Sequence, residues 1–260
     1  QKNDGFTVDG TAWVNDAPAM IAIAEGGIPS PMDKYTGYKL DPGNPIYPTA
    51  GTQVESGSEY TVNYVKDDTQ TQPTVYTIRY TINGVEQSAD TIMVKSSAWI
   101  HDNPAKITIA KEGIPAPANK YKGFKLDPTN PVYPAAGVEV NSGSVFTVNY
   151  VKDDSQTKET QYTVRYTIEG AVQEADSLTV SGTAWVNDDP AMIAIAEGGI
   201  PAPAKKYTGY KLDPTNPAYP AAGVEVESGS VFTVNYVKDD SQTKPTQYTV
   251  RYTIEGIVQE

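Results

Sequence analysis

Apolar and polar residues alternate along "YTVRYTI" (162–168). Tyr162, Val164, Tyr166 and Ile168 fall on one side, Thr163, Arg165 and Thr167 on the other. A period of two is what a half-buried β-strand requires. The turn that follows, "IEGA" at 168–171 or "INGV" at 82–85, places glycine where φ can turn positive, and "DSLTVSG" (176–182) returns as the second arm of a hairpin. The same alternation runs through "FTVNYVK" (146–152), with Phe146, Val148 and Tyr150 on one face and Thr147, Asn149 and Val151 on the other. Ahead of such a strand, "EVESGS" (225–230) supplies a further tight turn.

The stretch "NDDPAMIAIAEGG" (187–199) admits two readings. Asp188 or Asp189 before Pro190, with Gly198 behind, offers the cap, first-turn proline and stop of a helix. Its counterpart "NPAKITIAKEG" (103–113) alternates Ile107 and Ile109 with Lys106 and Thr108, which favours a strand, and one fold has to suit both versions. Strand is the expectation and helix the alternative. "LDPTNPVYPAAG" (126–137) carries three prolines in seven residues and reads as an extended edge or stiff loop. "DDSQTKPTQ" (239–247) reads as a linker or a hairpin loop.

These elements recur at a fixed interval. "FTVNYVKDD" stands at 146–154 and again at 232–240, with "YTVNYVKDD" at 60–68. Trp13, Trp99 and Trp185 are 86 residues apart, as are Tyr64, Tyr150 and Tyr236. Residues 76–161 align with 162–247 without a gap, at roughly 60 identical positions. A unit of that length can bury a small core of its own, unlike the shorter solenoid repeats. The expectation is three tandem small domains at 1–88, 89–174 and 175–260. An alternative phase takes 76–161 and 162–247 as complete units, with 1–75 and 248–260 as partial ones. In the first phase, residues 248–258 pair within the third domain. In the second they complete the first domain of a neighbouring molecule, giving head-to-tail strand pairing.

Composition sharpens this picture. Eighteen Tyr against 4 Phe, with 21 Gly and 20 Pro, suits short strands joined by many turns. A formal net charge of −12 argues against nucleic acid and anionic lipid, since both call for clustered Lys and Arg. No apolar run reaches the length of a membrane-spanning helix, so no membrane insertion is expected. Without Cys there are no disulfides and no thiolate metal sites. The chain opens "QKNDG" without Met and reads as an excised piece of something longer.

The hairpin "YTVRYTIEG…ADSLTVSG", the aromatic-Gly-aromatic stretch "KYTGYKLD" (206–213) and the closing "VFTVNYVKDD" (231–240) follow one another in every copy. This order resembles the MucBP-type (mucin-binding-protein-like) repeats of Gram-positive surface adhesins. The resemblance implies β-grasp-like modules, mostly β with α+β as a variant, on an extracellular, cell-wall-anchored bacterial surface. It also implies host glycan or mucin as a partner. The insert "AWVNDDPAMIAIAEGGIPAP" (184–203) is longer than the shortest members carry.

Candidate chemistry is sparse. The single histidine, His101, has Asn15 and Asn187 as counterparts, so no nucleophile–base pair or His-ligated metal recurs in each unit. Paired catalytic carboxylates need a cleft for which so small a unit has little room. The chain reads as non-enzymatic and His101 as a loop residue. The doublets Asp67–Asp68, Asp153–Asp154 and Asp239–Asp240 end a strand. They read as solvated charge that opposes edge-to-edge aggregation, with a Ca²⁺ site at the domain junction as the alternative and no other cofactor implied. Trp13, Trp99 and Trp185, with Tyr38, Phe124 and Tyr210, and with Tyr207 beside the last, serve either as core or as a glycan-stacking platform. Lys120 or Lys125 with an Asn of another strand is a candidate isopeptide crosslink. Lys152 and Asn149 point to opposite faces of one strand and cannot pair with each other.

A compact unit has a radius of gyration of about 12 Å, so three end to end would span on the order of 100 Å. The expected function is therefore an elongated tandem-repeat stalk, a rod that projects a distal binding head from the cell wall. The alternative is multivalent weak glycan (mucin) binding by each repeat, with avidity supplied by effective concentration.

Overall fold

A computed structural model describes residues 4–258. Four short strands come first: β1 (Met20–Ala22), β2 (Tyr38–Leu40), β3 (Gln53–Glu55) and β4 (Tyr64–Lys66). Seven follow: β5 (Thr71–Ile82), β6 (Val85–Glu86), β7 (Ile92–Trp99), β8 (Lys106–Thr108), β9 (Phe124–Leu126), β10 (Glu139–Asn141) and β11 (Val145–Lys152). The same seven recur as β12 (Thr157–Ile168), β13 (Ala171–Val172), β14 (Leu178–Trp185), β15 (Met192–Ala194), β16 (Tyr210–Leu212), β17 (Glu225–Glu227) and β18 (Val231–Lys238). A last pair is β19 (Thr253–Ile254) and β20 (Ile257–Val258). Among the described residues there is no α-helix, only 3₁₀ turns at Ser88–Asp90 and Glu174–Asp176. The protein is mostly β.

Two compact units divide the chain, one of Gln1–Pro117 with Leu126–Asn149, the other of Ala118–Lys125 with Tyr150–Glu260. The second unit contains one complete sheet, and β12 is its central strand. On one side β14 pairs antiparallel from Thr157↔Trp185 to Val164↔Leu178, and β13 continues that side. On the other, β18 runs parallel from Thr163↔Val231 to Ile168↔Tyr236, and β16 joins β18 antiparallel. A separate ribbon of β15 and β17 sets Ile193 opposite Val226. In the first unit β7 lies against β5 in the same register, from Thr71↔Trp99 to Ile78↔Ile92, and β8 pairs with β10.

The core of the second unit collects Tyr162, Val164 and Tyr166 from β12, Val234 and Tyr236 from β18, and Ile193, Ile195 and Ile200 from the ribbon and the loop after it. Its phenols hold that loop. Tyr166 donates to the Pro201 carbonyl at 2.8 Å and Tyr236 to the Pro203 carbonyl at 2.6 Å, while the Tyr162 hydroxyl accepts from the Ala196 amide at 3.1 Å. In the first unit Tyr80 donates to Pro115 at 2.8 Å, Tyr64 donates to Pro31 at 2.6 Å, and Tyr76 accepts from Ala110 at 3.1 Å. Proline-rich loop carbonyls have no ladder to join, and an unpaired buried acceptor costs ~1–3 kcal/mol. Tyrosine brings the donor along with the apolar ring, which phenylalanine does not.

The strand expected within 103–113 is present as β8, with β1 and β15 as its counterparts. Pro104 and Pro190 follow cis peptide bonds in a bend and do not open a helix. The reading of "DDSQTKPTQ" (239–247) as linker or loop holds along its length, but in its two copies only the first four residues are a turn. In the complete sheet, residues 157–161 instead extend β12, and in the first unit 71–75 extend β5, with Pro73 opposite Ser97. That end of the long strand has a neighbour on one side only, where proline and polar residues are tolerated. Residues 248–258 do not pair within the third domain as expected. Among the described residues Thr253 and Ile254 pair only with Val258 and Ile257.

Candidate functional site: a tryptophan plug in a glycine-aromatic socket

Each long strand leaves the preceding repeat through a four-residue turn, and that turn builds a socket. In the second unit the turn is Asp153-Asp154-Ser155-Gln156. Asp153 Oδ1 accepts from the Ser155 hydroxyl at 2.7 Å and its amide at 3.2 Å, while Oδ2 accepts from Gln156 Nε2 at 3.0 Å. These bonds favour the charged carboxylate. The Gln156 and Ser155 side chains, with the Lys125 charge adding to them, hold Asp153 down to about 2. Gln156 Oε1 in turn accepts from the Gly123 amide at 2.8 Å, and Gly123 accepts from the Asp153 amide at 2.9 Å.

β14 then delivers its last residue into this socket. The Trp185 indole N–H donates to the Gly123 carbonyl at 3.0 Å, and its ring stands edge-on to Phe124, centroids 5.3 Å apart at 87°. Lys152 Nζ lies 5.1 Å from the Trp185 ring centroid, within cation–π range, and 3.0 Å from Asp154. Asn187 Nδ2 adds a 2.7 Å bond to the Lys122 carbonyl. Gly123 has φ +82, and a Cβ there would lie 2.9 Å from Trp185 Cζ2. Both backbone conformation and close approach demand glycine at this position.

The first unit repeats the arrangement with one exchange. Trp99 donates to the Gly37 carbonyl at 3.0 Å, stands edge-on to Tyr38 at 5.4 Å and has Lys66 at 5.2 Å. Gln70 Oε1 accepts from the Gly37 amide at 2.7 Å. In place of Asn187, His101 brings its Nε2 to 2.7 Å from the Thr36 carbonyl, with its ring 4.9 Å from Trp99. His101 is in a turn, as expected, but the turn reaches the neighbouring repeat.

Two parts of the set stand alone. Trp13 is 66% exposed. The third socket is already formed, with the Gly209 amide on Gln242 at 3.0 Å and the Asp239 amide on Gly209 at 2.9 Å. Gly209 keeps φ +83 with open space around it.

Of the residues singled out in the sequence, Trp99 meets Tyr38 and Trp185 meets Phe124, across a repeat boundary and not within one core. Tyr207 stands apart, packed edge-on to Tyr236 at 5.0 Å and bonded to Asp176 at 2.5 Å. The first Asp of each doublet caps its turn, and the second pairs with a lysine: Lys66–Asp68 at 2.9 Å, Lys152–Asp154 and Lys238–Asp240 at 3.0 Å. Among the described residues no group of three or more His, Cys, Asp or Glu is arranged to hold a metal ion. Asn149 is engaged by its amide donating to Asp127 at 2.7 Å and its oxygen accepting from Thr81 at 2.7 Å, and Lys125 reaches Asp153 at 3.7 Å. Gly37, Gly123, Gln70, Gln156, Lys66 and Lys152 went unnoticed as site residues. Their recurrence at the 86-residue interval together with the tryptophans was the signal that marks them. No helix is long and apolar enough to cross a membrane among the described residues.

Neither known protein families nor curated proteins provide a match to the chain. Among solved structures, the chain is similar to a type 2 repeat of the mucus binding protein MUB from Lactobacillus reuteri, at 17% identity and TM-score 0.21, over 64% of this chain and 100% of that one. It is likewise similar to a structure described as Mub-RV, at 17% identity and TM-score 0.24, over 64% and 99%. At these values the overlap establishes no function.

Proposed function

We propose that the chain is a run of spacer repeats from a bacterial surface adhesin, anchored at the cell wall and holding a distal binding head away from it. The observation that carries this reading is the engagement of Trp99 and Trp185, indole N–H and ring face alike, in the sockets at Gly37 and Gly123. Aromatic residues suited to stacking on sugars are here occupied in joining one repeat to the next. The connections are four residues long, which leaves little slack at each joint. Small-angle scattering tests the proposal. The wild-type chain should give a maximum dimension on the order of 100 Å, and Trp99→Ala with Trp185→Ala should broaden the distance distribution. A globular maximum dimension for the wild type would end the spacer reading.

A second reading is weak multivalent glycan binding, and a recurring groove supports it. A groove of about 600 Å³ lies between Ser96–Ala98, the bend at Asp102–Pro104 and Glu139. It recurs, at about 490 Å³, between Thr183–Ala184, the bend at Asp188–Pro190 and Glu225. A glycan-array signal that grows with repeat number and disappears on Glu139→Ala with Glu225→Ala supports this reading. Silence on the array supports the spacer.

A further inference from the structure

β7 and β14 each have a neighbour on one side only. Among the described residues β14 pairs with β12 alone and β7 with β5 alone. The Val186 amide donates to the Gln156 carbonyl at 2.9 Å, which fixes the alternation along that ladder. Lys158↔Ala184, Thr160↔Gly182 and Tyr162↔Val180 are then the bonded pairs, and the amides and carbonyls of Thr179, Ser181 and Thr183 face away from β12. The bond from the Ile100 amide to the Gln70 carbonyl, 3.0 Å, sets the same alternation in β7 and turns the backbone of Met93, Lys95 and Ser97 outward. An edge of this kind is a template for a further strand.

The two grooves lie against the ends of these strands, one at Ser96–Ala98 and the other at Thr183–Ala184. Their charge differs. In the first unit Asp102 and Glu139 share the groove with Lys106, whose Nζ is 3.7 Å from Glu139. In the second unit Met192 stands where Lys106 does, and Asp189 where Asn103 does. That groove carries Asp188, Asp189 and Glu225 with no cation among its lining residues. The edge strands differ in the same sense. A lysine on an edge discourages strand addition, and β7 has Lys95 where β14 has Ser181.

We infer that the free edge of β14, with the acidic groove at its end, takes up an extended peptide rich in lysine or arginine as an added strand. The peptide backbone pairs with the outward amides and carbonyls of Ser181 and Thr183. Side chains of a strand alternate, so cations two residues apart in the peptide present themselves together to Asp189 and Glu225. The β7 edge offers the same backbone but repels the same ligand through Lys95 and Lys106. Positive charge selects the peptide and the ladder holds it extended. The inference goes beyond the spacer reading and does not depend on it, because a rod can carry such a site; scattering can overturn the one while the other stands.

Fluorescence anisotropy on the full chain tests this. A labelled short peptide of alternating lysine and threonine should bind at a single site, with an affinity that falls as salt rises. The same peptide with proline in place of every threonine keeps the charge but cannot join a ladder, and should bind at least about tenfold more weakly. Ser181→Lys with Met192→Lys gives the second unit the residues that the first already accommodates, so the fold is kept, and binding should weaken at least about tenfold. Lys95→Ser with Lys106→Met should create a second site. Hydrogen exchange at the Ser181 and Thr183 amides should slow when the lysine–threonine peptide is bound. Equal binding of the two peptides, or binding untouched by the introduced lysines, overturns the inference. So does a chain that takes up no peptide at millimolar concentration, including one whose groove binds a neutral oligosaccharide instead.

Discussion

The first and third repeats spell nearly the same words and fold differently. "YTVNYVKDD" at 60–68 yields a three-residue strand, "FTVNYVKDD" at 232–240 an eight-residue one. Tyr236 is fully buried, while Tyr64 is only partly so, and Ile21 lies half-open where Ile193 is buried. What separates them is the long central strand. With β12 in place, two flanking strands gain ladders and a shared apolar face. In the first repeat, among the described residues, only the short ribbons β1–β3 and β2–β4 form. Local sequence sets which residues alternate, but pairing depends on a strand that lies many residues away.

That comparison can be broken most forcefully at the centre of β12. Val164→Asp would bury an unpaired carboxylate at a fully enclosed position and should cost ~3 kcal/mol or more. Val250→Asp, the same change on the exposed copy, should fall within about 0.5 kcal/mol for the isolated chain. Thermal unfolding at low protein concentration measures both, and equal losses would refute the contrast.

The sockets offer the next test. Gly209→Ala meets only the penalty of a positive φ, about 1 kcal/mol. Gly123→Ala adds a collision with Trp185 and Asn187 and should cost at least about 2 kcal/mol. Denaturant midpoints of the two variants compare a filled socket with an open one, and equal shifts would mean that the plug contributes nothing.

Much of this architecture was visible in the letters and some was not. The 86-residue period and the alternation in Tyr162–Ile168 gave strands in the right places, because a period of two needs no knowledge of partners. Thr157–Gln161, the copy of a stretch read as linker or loop at 239–247, are a strand because polar residues satisfy a half-covered strand end as well as they satisfy a loop. The bond from Trp185 to Gly123 spans 62 residues. Nothing local distinguishes a tryptophan bound for a core from one bound for the next repeat. The glycine itself was noticed only as part of a motif, not as an acceptor.

A smaller effect distinguishes the phenols. Tyr236→Phe strands the Pro203 carbonyl and should cost about 1 kcal/mol, whereas Tyr64→Phe, in a more open site, should cost less. Chemical denaturation resolves the difference, and a larger loss at Tyr64 would contradict it.

The smallest effect is in acid. Asp153 is held down to about 2, so its turn favours the folded state above the ordinary aspartate range near pH 4. This contribution fades as pH falls from about 4 towards 2. Asp153→Asn should therefore be less stable than the parent at pH 6, with the gap closing over that interval. A gap independent of pH would assign the loss to geometry and not to charge.

The parallel pairing of β12 with β18 has one more consequence. These are the opening and closing strands of the complete sheet, and six residue pairs hold them side by side in the same direction. Tension applied to Thr157 and Lys238 would draw the two strands past each other lengthwise. The rungs between them would be strained together instead of peeling off singly, so that sheet would resist a lengthwise pull in shear.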